Sequence, residues 1–201
     1  VAAHVESPQG VKAAVENGVD TIEHGAEIDE ACIELFLSNK AAHVATLSPA
    51  LPFALIDRSI SHVSQTAQYN GKIVFEGIIA CAKACLKAGI PVGLGTDTGC
   101  PYVTHYDMWR ELHYFHKYCD VSNRFALHSA TQVNARIAGI GDLTGVIMAG
   151  KAADLIVTKE NPLEDLSALR SISMVCTRGK LIKAPKVKKI KQVEEQLDRY
   201  L

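Results

Sequence analysis

Short apolar runs alternate with stretches of helical periodicity along the first two-thirds of the chain. Residues 1–5, VAAHV, read as a buried strand, and Ser7-Pro8 follows as a helix N-cap with proline at the first helical position. Val11, Ala14 and Val15 share one helical face that closes at Asn17-Gly18, a C-cap signal. VDTIEHG, residues 19–25, predicts the second strand. Asp29 caps a helix over 30–38, where Ile33 and Leu37 lie four apart, and AHVAT, residues 42–46, predicts the third strand. The segment 47–71, with Pro49 and Pro52, reads as a long loop before a helix over 72–88 whose stripe is Ile78, Ile79, Ala82 and Leu86. IPVGLGTDTG, residues 90–99, is a fourth strand running into a glycine-flanked loop, and helices are expected over 105–118 and 122–138.

Strands that alternate with helices imply an α/β fold of parallel βαβ units. After Gly141 the pattern changes to short strands and turns, with MVCTRGKLI reading as a hairpin around Arg178-Gly179. The expected organisation is therefore a first domain over 1–142, a second over 143–184, and a Lys-rich tail helix over 185–201 with Val187, Ile190, Val193 and Leu197 beside the lysines. VAAHV begins the chain as a strand, so the sequence is expected to start in the middle of a fold.

Composition narrows the function classes. The 201 residues are 48% hydrophobic and 21% charged, with 21 basic against 22 acidic residues, which suits a globular chain with a sizeable core. A formal charge of −1 gives no general attraction to nucleic acid or to anionic membrane, and neither is expected as a partner. The apolar stretch around Gly77 to Gly95 is broken by Lys83 and Lys87, which argues against a membrane span. Six cysteines without a CxxC pair read as reduced thiols, and the expected location is the cytoplasm.

Three polar residues fall at the carboxyl ends of predicted strands: His4, His24 and Asp97. In parallel α/β barrels catalytic groups collect at that end. Two imidazoles can ligate a divalent transition metal, and a carboxylate can add an oxygen ligand or carry a proton to and from a metal-activated water. Each residue alone has an ordinary structural explanation, and it is their repeated placement that points to a site. His105, in the loop after Asp97, is a candidate substrate-binding residue. His43 lies early in its strand and reads as structural, as do Thr131 and Asn134, and Cys100 reads as a loop thiol. The chain contains no GxGxxG, GxxxxGK[ST] or GxSxG motif, which weakens dinucleotide, nucleotide and serine-hydrolase readings.

The segments HVESPQGVKAAVENGVDTIEHG, GIPVGLGTDTG, SATQVNARIAGI and GVIMAGKAADLIVTKENPLEDLSAL, in that order, resemble the metal-dependent amidohydrolase superfamily. Within it the chain is similar to the branch of Xaa-Pro and Xaa-Arg dipeptidases, related carboxypeptidases and imidazolonepropionase-like proteins. The resemblance implies the C-terminal half of a TIM-like (β/α)8 barrel, strands five to eight, followed by the C-terminal part of a small composite β-sandwich. It implies His4 and His24 as metal ligands of strands five and six, and Asp97 as the strand-eight ligand and proton shuttle. One or two divalent ions, zinc foremost, are the implied cofactor, with further ligands in a preceding half that the matching pattern lacks. The implied chemistry is hydrolysis of amide bonds in small peptides or N-acyl amino acids. Cyclic amides or lactones are the alternative substrates, and a non-catalytic, partner-dependent fragment is the alternative role. The preceding half is the expected partner, homo-oligomerisation is compatible with the sequence, and the isolated 201 residues are expected to be inactive or poorly folded.

Overall fold

The computed structural model describes residues 1–201. They divide into two compact units, residues 1–105 and 106–199.

The first unit is built on four parallel strands, β1 (Ala2–Val5), β2 (Thr21–His24), β3 (Ala42–Ala45) and β4 (Val92–Leu94), in the order β1-β2-β3-β4. Sequential order with every neighbour parallel requires a crossover between each pair, and α1 (Pro8–Glu16) and α2 (Glu30–Asn39) provide the first two. Their ends are set as the sequence indicates: Ser7 Oγ accepts from Gly10 N, and an Asp29 carboxylate oxygen accepts from Cys32 N. Strand β1 is not the buried run expected of it. It has a partner on one side only, and Ala2 and His4 are exposed.

The segment expected as a loop departs further. It holds α3 (Leu47–Leu55) and α4 (Arg58–Ser61), and α5 (Gln65–Ala88) begins seven residues before the predicted start, capped by Ser64. Pro49 sits in the first turn of α3, where a missing N–H costs no helical bond. Leu47, Leu51 and Ala54 bury that helix in the core, so tertiary packing outweighs the two prolines. Gly71 marks where α3 and α5 meet, since a Cβ there would lie 2.6 Å from Phe53 Cβ.

In the second unit α6 (Met108–Cys119), α7 (Asn123–His128) and α8 (Asn134–Ile137) precede an antiparallel sheet of β5 (Leu155–Thr158), β6 (Ile172–Thr177) and β7 (Lys180–Lys183). A five-residue π-helix, Ser129–Val133, joins α7 to α8. Thr131 lies in it, and its hydroxyl donates to Leu127 O at 2.6 Å, a backbone role in keeping with its structural reading. The hairpin turns at Arg178-Gly179 with Thr177 opposite Lys180, as the sequence indicates. The tail forms α9 (Lys191–Leu197), which buries Glu194 and Leu197. No helix is long and apolar enough to cross a membrane, and all six cysteines are free thiols.

Candidate metal centre

His4 and His24 meet because their strands are neighbours: Val5 stands opposite His24 in the parallel register, and His4 opposite Glu23. Their rings lie edge to face with centroids 4.5 Å apart. His24 ends β2 with φ of +68°, and Gly25 follows at +87°. Two successive left-handed residues turn the chain sharply at the strand end. Gly25 N donates to Val5 O at 2.9 Å, which ties this turn to the end of β1. A Cβ at Gly25 would lie 2.9 Å from both Cys81 Sγ and His43 Nε2 and collide with them, so both φ and space require glycine there.

Glu6 completes the set. One ligand atom from each of His4, Glu6 and His24 lies within 4.8 Å of the others. The sequence reading missed Glu6, although the alternation His-Val-Glu carried the signal: residues two apart in extended chain project to the same side. His24 is buried, whereas His4 and Glu6 are exposed. Thr46 Oγ1, just past β3, lies 2.5 Å from His24 Nδ1 and engages that nitrogen, which leaves Nε2 for a ligand role. Burial holds the His24 imidazole below its ordinary pKa, and the neighbouring His4 adds to the effect, while Glu6 and Asp97 oppose it. The ring is thereby biased toward the neutral form that binds metal.

Asp97 stands outside the three-residue set. Its strand is separated from β2 by β3, and two inter-strand spacings amount to roughly 10 Å. Its charge still reaches His24, as the opposing influence on that imidazole shows. Asp97 adopts φ of +48°, its carboxylate accepts from Cys100 Sγ at 3.3 Å, and the side chain faces solvent. His105 is exposed and is not part of the set. Two imidazoles and a carboxylate are a donor combination that suits a divalent transition ion such as zinc, so the residues present fit a metal.

Comparison with known proteins bears on this arrangement. The amidohydrolase family model matches residues 1–182. A Bifidobacterium longum protein assigned as a prolidase has a crystal structure 38% identical in sequence, with a TM-score of 0.95 over 99% of this chain and 50% of that one. A Xaa-Pro dipeptidase crystallised with methionine in its active site is 31% identical, with a TM-score of 0.82 over 91% of this chain and 44% of its own. Ochratoxinase of Aspergillus niger is 31% identical over 197 residues, 92% of this chain and 38% of the enzyme. The chain thus spans well under half the length of that curated relative and about half of the prolidase structure.

Proposed function

The chain belongs to the amidohydrolase family, and from that premise we propose that it carries part of the active site of a metal-dependent hydrolase of carbon–nitrogen bonds. The observation that carries this reading is the convergence of His4, Glu6 and His24 at the carboxyl ends of two adjacent parallel strands. These three side chains hold a divalent cation, zinc foremost. Such a cation, when bound, acidifies water and polarises a carbonyl.

The protein's own groups supply the rest. Thr46 fixes the tautomer and orientation of His24 through Nδ1. Asp97 is the proton carrier: it takes a proton from the attacking water and returns it to the leaving amine nitrogen, which departs neutral. Its solvent-facing position at the strand end suits that exchange better than a fixed ligand position does. His105, in the loop after Asp97, contacts substrate. The substrate class is a small peptide or N-acyl amino acid, a reading supported by the Xaa-Pro dipeptidase and ochratoxinase likenesses.

In this reading β1 to β4 are strands five to eight of an eight-stranded barrel, and 143–184 are the C-terminal part of a β-sandwich, with 1–142 and 185–201 as barrel half and tail. The coverage of half of a structural relative at a TM-score of 0.95 supports it. The division between compact units at 105/106 falls inside the first of these segments.

Equilibrium dialysis of the full chain against zinc tests the centre. His24→Ala is expected to weaken binding at least tenfold, and Glu6→Gln to weaken it less, because one neutral oxygen donor remains. Unchanged binding in His24→Ala rejects this centre. Assay of Xaa-Pro dipeptides and N-acyl amino acids with the chain joined to the preceding barrel half then tests the activity, with Asp97→Asn expected to retain zinc and lose turnover.

A further inference from the structure

A second group of donors lies where β3 packs against α5. His43, Cys81 and Cys85 each offer one ligand atom, all within 4.8 Å of one another, and all three residues are fully buried at 0% exposure. The i, i+4 spacing of the cysteines puts both sulfurs on one helical face, the face toward the sheet. Buried thiols alone are ordinary core residues. The imidazole is what distinguishes this cluster.

His43 Nε2 bonds to His24 O at 2.7 Å. A carbonyl only accepts, so Nε2 carries the proton and the ring's lone pair resides on Nδ1. That atom is buried without a hydrogen-bond partner. An unmet buried acceptor costs about 1–3 kcal/mol, and the ring that carries it places a nitrogen within 4.8 Å of both sulfurs. An imidazole anchored through one N–H on a backbone carbonyl, with the other nitrogen unprotonated, is the state in which histidine ligates metals.

We propose that His43, Cys81 and Cys85 form a second metal site, separate from His4, Glu6 and His24, for a thiophilic divalent cation of the zinc and cadmium class. Two thiolates and one imidazole are a three-ligand set that zinc accepts with a fourth position left over, and metal–sulfur and metal–nitrogen bonds of about 2.3 and 2.0 Å put such donors roughly 3.3–3.8 Å apart. Donors no more than 4.8 Å apart reach that arrangement by closing at most about 1.5 Å. On binding, the cation gains bonds to one nitrogen and two sulfurs, and both thiol protons leave to solvent, so that the net charge of the cluster is conserved. Neither the site nor its test depends on the hydrolase reading, since none of its three ligands is among the groups assigned there.

Cadmium is the probe, because thiolate ligation gives a sulfur-to-metal charge-transfer absorption that imidazole and carboxylate ligands lack. Titration of the reduced full chain is expected to give this band with saturation at one equivalent, and His4→Ala with Glu6→Gln is expected to leave it intact. Cys81→Ser or Cys85→Ser should abolish it or weaken affinity at least tenfold, while Cys100→Ser and Cys119→Ser should not. Absence of the band, or its survival in both Cys81→Ser and Cys85→Ser, overturns the site. Should a serine variant fail to fold, X-ray absorption of the unmodified, zinc-loaded protein decides: sulfur neighbours at about 2.3 Å are expected, and a purely nitrogen and oxygen shell overturns the proposal.

Discussion

His113, on α6, shows how a single imidazole makes stability depend on pH. Burial lowers its pKa below the ordinary value of 6.5, His116, Lys117 and Arg110 lower it further, and only Asp165 opposes them. Its Nδ1 is buried without a hydrogen-bond partner, so protonation inside the fold has no compensating acceptor there. The unfolded chain takes up this proton near pH ~6.5, whereas the folded chain resists it to lower pH. Stability is therefore complete above that value and is lost as pH falls through the lowered folded value. Urea midpoints measured on either side of pH ~6.5 should fall on the acid side, and His113→Gln should remove part of that fall. His24, whose shift has the same sign, adds to the fall.

The same scale shows what the sequence makes legible in the centre. His4 and His24 can be placed because each ends a recognisable strand. Asp97 can be placed at a strand end as well, but how near it comes to the imidazoles depends on how many strands intervene, which sequence order alone does not reveal. His43 reads as structural from its position early in a strand, and its bond to His24 O emerges only from packing. His43→Phe keeps an aromatic ring and removes the donor to that carbonyl. It should cost about 1–3 kcal/mol in urea unfolding.

At the scale of the element, α9 and the turn after it are held by buried charge as well as by Leu197. Arg110 on α6 is 1% exposed and faces Asp198 at 2.7 Å, Glu194 at 3.3 Å and Asp107 at 3.5 Å. Arg170 reaches the same two tail carboxylates at 3.1 and 3.0 Å, and the two guanidinium carbons lie over the Trp109 ring, at 4.6 and 4.9 Å from its centre. Removing one partner of a buried ion network leaves the others uncompensated. Arg110→Ala should therefore destabilise the second unit by about 3–5 kcal/mol, and Arg110→Lys should rescue only part, since an ammonium cannot fork to several carboxylates. Chemical denaturation of the three proteins checks both. The tail helix is legible from its amphipathic spacing, but Lys186, Lys188 and Lys189, expected in the helix, precede it. Its anchoring depends on Arg110 and Arg170, which lie 84 and 24 residues before Glu194, and spacing within the tail carries no information about partners at that distance.

For the molecule as a whole, the division into units predicts a local response to metal. All the donors of the candidate centre belong to residues 1–105. Zinc at a hundred times its dissociation constant stabilises whatever unfolds with the site by about 2.7 kcal/mol. Hydrogen exchange should show added protection in residues 1–105, with little change over 106–199; a chelator should erase it, and His24→Ala should reduce it. Protection spread equally over both units would show that they unfold together.

The sequence by itself determined the alternation of strands and helices, the caps at Ser7 and Asp29, the hairpin at Arg178-Gly179 and the family, because each is written in local spacing or in short motifs. Tertiary structure decided that the proline-containing segment after β3 is helical, that Glu6 stands within reach of the two imidazoles, and that His43 faces two cysteines. The physical reason is common to all three. Burial energy and strand adjacency arise between residues far apart in the chain, and they override local preference wherever the two disagree.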